Sequence, residues 1–300
     1  RLLDVARKIA GIERSFQAKT DPCLPPSAFA AVFSSEKTAA YLAPDSRLNV
    51  MLLEHGYRNL IRSGIGFRMY DIADLKAVSA DYRLFLFLNI LHADPDTAGQ
   101  ILSLAEQPGR YLFFACGTGV IGENALDLSL AEKLFRCGFR IETERKIHTV
   151  RFTKEAEELL GIPEGTEWST PFPSGPSFYP ESGVIPLAKT EDGQTALAWY
   201  ERNGSTLLWA SFPVFPTELF SALATRAKLP VIRTVRGNAA VWMGERILSA
   251  HTAKGAEISV TLPENRKGVR NLVTGEFYPA DKGEIQLTLP PSSTWMAVPE

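Results

Sequence analysis

The sequence predicts an α/β domain followed by a small all-β domain. Three observations carry this prediction. From Ser27 to residue 230, short apolar runs alternate with longer helical periods, the pattern of βα units around a mostly parallel sheet. Within that stretch Leu84-Phe85-Leu86-Phe87-Leu88 is apolar on both faces, as a central strand with helices on both sides must be. From Val231 onward, short strands recur at close spacing with Gly, Pro and Asn between them and no helical period, which predicts a β-sandwich.

Taken in order, residues 1 to 18 place Leu2, Leu3, Val5, Ala6, Ile9, Ile12 and Phe16 near one face of a helix. The stretch Asp21-Pro22-Cys23-Leu24-Pro25-Pro26 stops it, so residues 1–26 read as a lead-in helix and linker, a relic of a preceding domain. The partner of its apolar stripe could equally lie within this chain. In the α/β domain, residues 27–230, strands are expected at Phe29 to Phe33, Gly66 to Tyr70, Leu84 to Leu88, Tyr111 to Ala115 and Thr206 to Ala210. Helices are expected at Asn49 to Ser63, Asp96 to Ala105, Ser129 to Cys137 and Pro216 to Ala227. Residues 143–205 are crowded with Pro and Gly. They read as an insertion or sheet-edge elaboration, with weak strands near His148 to Phe152 and Thr195 to Tyr200. The β-domain, residues 231–300, should hold strands at Ala239 to Met243, Arg246 to Ala250, Ala256 to Leu262, Val269 to Leu272, Glu284 to Leu289 and Thr294 to Ala297.

A chain of 300 residues is comfortable as two domains. A formal net charge of −2, with both signs spread along the chain, provides no field to gather nucleic acid or an anionic membrane. No apolar run approaches the roughly 20 residues of a spanning helix. Cys23, Cys116 and Cys137 form no CxxC pair, so neither a disulfide framework nor a zinc site is suggested, and no metal or cofactor is expected. The start at Arg1, without Met and without a signal-peptide pattern, is read as a cut from something longer, and the compartment stays open.

The segment Phe113-Phe114-Ala115-Cys116-Gly117-Thr118-Gly119 ends a strand with a small-residue turn, where open α/β sheets present nucleophiles. A thiol there can be activated by a histidine. His92, just after the central strand, is the histidine placed at the same sheet edge, whereas His55 and His148 read as structural or exposed and His251 lies in the β-domain. The turn lacks the GxCxG form, and an inert buried thiol is the preferred reading. Gly64-Ile65-Gly66 and Gly117-Thr118-Gly119 are turns, lacking the third glycine of a dinucleotide fingerprint. Trp168, Phe178, Tyr179 and Trp199 cluster in the Pro/Gly-rich region, where aromatic faces could stack on sugar rings. Packing against the sheet or another subunit is the preferred reading.

The stretches Ala31-Val32-Phe33-Ser34-Ser35-Glu36-Lys37, Asp81-Tyr82-Arg83 with the apolar run that follows, Arg110 to Ala115, Leu134 to Phe139 and Gly204 to Pro213 carry a resemblance. Residues 27–230 resemble the amidotransferase-like, or trimerisation, domain of the β-galactosidases of glycoside hydrolase family 42. The segment Ala239 to Val298, with Asn271-Leu272-Val273-Thr274-Gly275-Glu276, resembles the small β-domain that ends many retaining glycosidases. The resemblance implies a flavodoxin-like, class I amidotransferase-like sheet and a homo-oligomer. It also implies catalytic glutamates in a TIM barrel ahead of this chain, whose last helix the lead-in helix would be. Cys116 falls close to the amidotransferase nucleophile, but Phe212-Pro213-Val214-Phe215 supplies no His or Glu after the late strand. The expected function is therefore a non-catalytic C-terminal region serving oligomerisation and the shaping of a sugar site. The alternatives are a free-standing cysteine-dependent enzyme using Cys116 and a carbohydrate-binding module.

Overall fold

The computed structural model describes residues 24–43, 46–122, 125–263 and 265–300. The expected lead-in helix and Cys23 lie outside the described residues. The chain divides into two compact units.

The larger unit comprises Phe29–Leu60 and Phe67–Ala227. Its strands are β1 (Ala30–Ser34), β2 (Phe67–Asp71), β3 (Leu84–Phe87), β4 (Tyr111–Phe114), β5 (Phe139–Glu142), β6 (Thr149–Phe152), β7 (Glu167–Ser169), β8 (Ser177–Pro180), β9 (Ile185–Thr190), β10 (Thr195–Arg202) and β11 (Ser205–Ala210). Nine of them form one sheet in the order β2-β1-β3-β4-β11-β10-β9-β6-β7. The first five are parallel, each matching an expected strand to within a residue or two. The rest are antiparallel. Residues 143–205, expected to elaborate the sheet edge, extend the sheet by four strands, and their β8 pairs separately with β5, which precedes them. All four expected helices form. The first begins as a π-helical stretch, Val50–His55, and continues as α-helix over Gly56–Arg62, and the others are Pro95–Ala105, Ser129–Phe135 and Thr217–Arg226. Pro95–Ala105 starts cleanly because Asp94 accepts the Thr97 N–H at 2.8 Å and Pro95 takes the first position, where no N–H is needed.

The strand register aligns Tyr70, Phe33, Phe87, Phe114 and Trp209 side by side across the five parallel strands. Their rings form a ladder, with Phe33–Phe87 centroids at 5.5 Å and Phe87–Phe114 at 5.1 Å, closed by Phe135 and Phe139 against Trp209. Phe113, one residue out of phase, packs on the opposite face against Phe215 and Phe220. Burial of both faces explains why β3 shows an unbroken apolar run and no alternation.

The smaller unit gathers residues 24–28, Ile61–Gly66 and Lys228–Glu300. Its strands are β12 (Val231–Gly237), β13 (Ala240–Met243), β14 (Leu248–Thr252), β15 (Ala256–Thr261), β16 (Gly268–Asn271), β17 (Phe277–Pro279), β18 (Glu284–Leu289) and β19 (Ser293–Pro299). They make two antiparallel sheets, β12-β15-β18 and β13-β14-β19-β16-β17. Inward residues of both sheets, among them Ile232, Val241, Leu248, Ile258, Val260, Val269, Leu287 and Trp295, share one core. The turn expected at Gly64 delivers a carbonyl to the Ile232 N–H at 2.9 Å, and Ile65 bridges Val231. Gly64 has φ +72°, and a Cβ there would stand 1.8 Å from the Ile232 carbonyl oxygen, so only glycine fits.

Candidate functional site

In an open α/β sheet, ligands bind outside the carboxyl ends of the parallel strands, where the strand order reverses. Here that point lies between β1 and β3, and the residues that follow them are Ser35 and Asn89. Asn89 is buried and fully engaged. Its amide donates to the Ser35 carbonyl at 3.1 Å and to Asn49 Oδ1 at 3.2 Å, and its Oδ1 accepts the Ser35 N–H at 2.8 Å. Thr38 Oγ1 donates to the Asn89 carbonyl at 2.5 Å. These bonds brace the two strand ends against each other.

Cys116 follows β4 and is 2% exposed. Its Sγ lies 3.9 Å from the Pro176 carbonyl oxygen, and burial pushes the thiol up to about 12, so it is protonated at neutral pH. His92, its expected partner, stacks its ring on Tyr41 at 4.8 Å, while its backbone bridges Ile121. The two side chains thus rest on different neighbours. The structure brings another histidine to this end of the sheet. His148 tilts over Phe212, just beyond β11, with centroids 4.1 Å apart, and its Nε2 is 3.3 Å from the Ser174 carbonyl oxygen. Cys116 and His148 therefore lean on one segment, Ser174-Gly175-Pro176, whose Gly175-Pro176 bond is cis. A Cβ at Gly175 would stand 2.7 Å from the Glu144 carbonyl oxygen, so this segment too is closely packed.

Burial lowers the His148 pKa and keeps the imidazole neutral. A neutral imidazole and a protonated thiol that share a strap do not amount to the ion pair of an activated cysteine. Acid groups are close by in sequence and strand pairing. Lys146 Nζ meets Glu142 Oε1 at 2.8 Å and Asp192 Oδ2 at 3.6 Å, which lowers the Glu142 carboxyl and raises the lysine. Tyr179, pushed up mainly by burial and then by the Glu142 charge, packs its ring against Phe212. His148 carried no local signal of this placement, because only the β6 pairing and the strand order bring it to the end of β11.

The aromatic cluster, for which packing was the preferred reading and sugar stacking the alternative, is largely core. Trp199 is 1% exposed, and Phe178 and Tyr179 are equally closed, so none offers a ring face to a ligand. Trp168 is half-buried, packs on Phe152 at 4.7 Å and donates its indole N–H to the Val214 carbonyl at 3.0 Å. These rings fill the space around the antiparallel half of the sheet. Among the described residues no group of three or more His, Cys, Asp or Glu side chains could hold a metal ion. No described helix is long and apolar enough to cross a membrane.

No family model matches the sequence, and no curated protein does. Solved structures do. A β-galactosidase from Bacillus circulans sp. alkalophilus superposes with a TM-score of 0.61 at 14% identity, covering 91% of this chain and 42% of its own. The β-galactosidase of the Antarctic haloarchaeon Halorubrum lacusprofundi gives 0.59 at 16% identity, covering 94% and 41%. A GH42 β-galactosidase from G. stearothermophilus gives 0.57 at 11% identity, covering 90% and 40%. What is shared is the fold. This chain spans about two fifths of the length of these enzymes and is matched over nearly all of its own.

Proposed function

We propose that this chain is the non-catalytic C-terminal region of a glycoside-hydrolase-like protein. In this reading the larger unit is the amidotransferase-like, flavodoxin-like domain that serves oligomerisation and helps to shape a sugar site, and the two-sheet unit is the terminal β-sandwich. The observation that carries it is the asymmetry of the structural match, which takes in nearly all of this chain and about two fifths of each β-galactosidase. The carboxyl end of the sheet supports the same reading: Asn89 braces β1 against β3 there, and Cys116 is a protonated core thiol. Light scattering on the purified chain tests it, with an assembly larger than the monomer expected. A chain that stays monomeric at all accessible concentrations would remove the oligomerisation role.

The competing reading, a cysteine-dependent enzyme using Cys116, requires a thiolate at neutral pH. It has a direct test in iodoacetamide labelling. The folded thiol should react only on unfolding, and rapid labelling of the native protein would favour the enzyme instead.

A further inference from the structure

The outer face of the five-stranded sheet in the smaller unit departs from the polar exterior that an antiparallel sheet normally turns to water. Side chains alternate along β13, with Val241 and Met243 in the core and Trp242 outward, 53% exposed. A Cβ at Gly244 would come within 2.3 Å of the Trp242 indole, so the ring leans over that glycine toward the β13–β14 turn. On β19 the core residues are Trp295 and Ala297, which leaves Met296 and Val298 on the outer face, both half-buried. Leu248 pairs with Ala297, so Ile247, one step on, stands beside Val298. Val298 pairs in turn with Arg270, and Arg270 with Phe277. The Phe277 ring, 37% exposed, lies over Gly268, and the Arg270 guanidinium stands 5.4 Å from its centroid, held by the Glu300 carboxylate at 2.7 and 2.8 Å. Trp242, Ile247, Val298 and Phe277 thus form an apolar row from one edge of the sheet to the other, with Met296 alongside.

The N-terminal segment joins this unit beside that row. Leu24, 2% exposed, donates its backbone N–H at 2.7 Å to the carbonyl of Glu245, the residue after the glycine on which the indole rests. What precedes Leu24 in the sequence carries the apolar stripe from Leu2 to Phe16, which needs a partner surface. At 1.5 Å per residue a helical stripe of that extent is about 21 Å long, and the row, four strand spacings wide, is roughly 19 Å. The seven residues Gln17 to Cys23 that connect the two reach up to about 25 Å when extended, enough to bring the stripe over the sheet from the β13–β14 turn. The surfaces also agree in kind. Arg270, the cation within the row, is already paired with Glu300, so the row offers aliphatic and aromatic surface to an aliphatic stripe.

We propose that the apolar stripe of residues 1–18 covers this row, so that the chain's own N-terminal segment is the occupant of the outer face. This assignment does not depend on the function proposed above. The test is iodide quenching of tryptophan fluorescence on the whole chain, with the share of Trp242 taken as the difference between the chain and Trp242→Phe. Trp199, Trp209 and Trp295 are buried and Trp168 is half-buried, so an uncovered Trp242 dominates the quenching. The share should be small in the wild-type chain and rise severalfold in Ile9→Asp/Ile12→Asp, which puts two carboxylates into the stripe. Arg14→Ser, on the opposite side of the helix, should leave it unchanged. Ile9→Ser/Ile12→Ser, a milder change, serves if the carboxylates prevent folding. A wild-type Trp242 already as quenchable as in the double variant would overturn the proposal, and would leave the face to a partner outside this chain. So would a double variant whose mass by light scattering falls as Trp242 opens, since the row would then belong to a second copy.

Discussion

Asn89 illustrates how one side chain can close a crevice. Its amide joins the ends of β1 and β3 through both Ser35 backbone groups, so removing it strands the buried Ser35 N–H and leaves the Ser35 carbonyl with only the Thr38 N–H at 3.4 Å. Asn89→Ala should cost about 2–3 kcal/mol, measured by denaturant unfolding, and a loss near zero would mean that the brace is not formed. His148 makes a pH prediction. Its folded pKa is depressed below the ordinary value of 6.5, so below that value the unfolded chain binds the proton that the folded chain refuses. Stability should therefore be full above about 6.5 and decline as pH falls, until the folded imidazole itself titrates. The groups facing it that also respond to pH are Glu142, Lys146 and Asp192. In His148→Gln the decline just below 6.5 should flatten, and an unchanged slope would assign it elsewhere. Of these residues, the sequence singled out Cys116, with an inert thiol preferred because the turn lacks the GxCxG form and free cysteines are mostly buried. The neighbourhood of His148 and the bracing by Asn89 depend on which strands become neighbours, and nothing local in the chain encodes that.

β1, β3, β4 and β11 were legible because burial on both faces leaves apolar runs that no surface strand would carry. The ladder Phe33, Phe87, Phe114 shows what those runs achieve, and Phe87→Ala, at its centre, should cost about 3–5 kcal/mol in the same unfolding assay. The antiparallel half was harder to read. β8 is only four residues, ending in Pro180, and β9 carries Pro186 near its start, which in a sequence argues against an interior strand. The chain accommodates it with register irregularities between β9 and β10, and the Pro186 carbonyl is used by Thr153 Oγ1 at 2.7 Å. The hairpin between β10 and β11 did have a signal. Asn203 and Gly204 adopt φ of 48° and 80°, the Asn-Gly pair that a tight hairpin favours. Gly64 is decided at this level too. Gly64→Ala forces both an unfavourable φ and a clash with the Ile232 carbonyl, so a loss of roughly 2 kcal/mol or more is expected. Wild-type stability in that variant would contradict the close approach.

At the scale of the whole molecule, the two units divide the account. In the larger, Asn89 ties the ends of β1 and β3 at the point where the strand order reverses, and the aromatic residues for which sugar stacking was the alternative reading support its antiparallel half. The smaller exposes Trp242 on the outer face of a sheet, which is not legible in the sequence because a single tryptophan in a short strand is ordinary until its neighbours across the sheet are known. The central claim, that this α/β scaffold is used for assembly and not for chemistry at Cys116, is tested most directly by the mass of the purified chain in solution. Multi-angle light scattering across micromolar concentrations should give a defined multiple of 33.0 kDa, and a single species at 33.0 kDa throughout would contradict it.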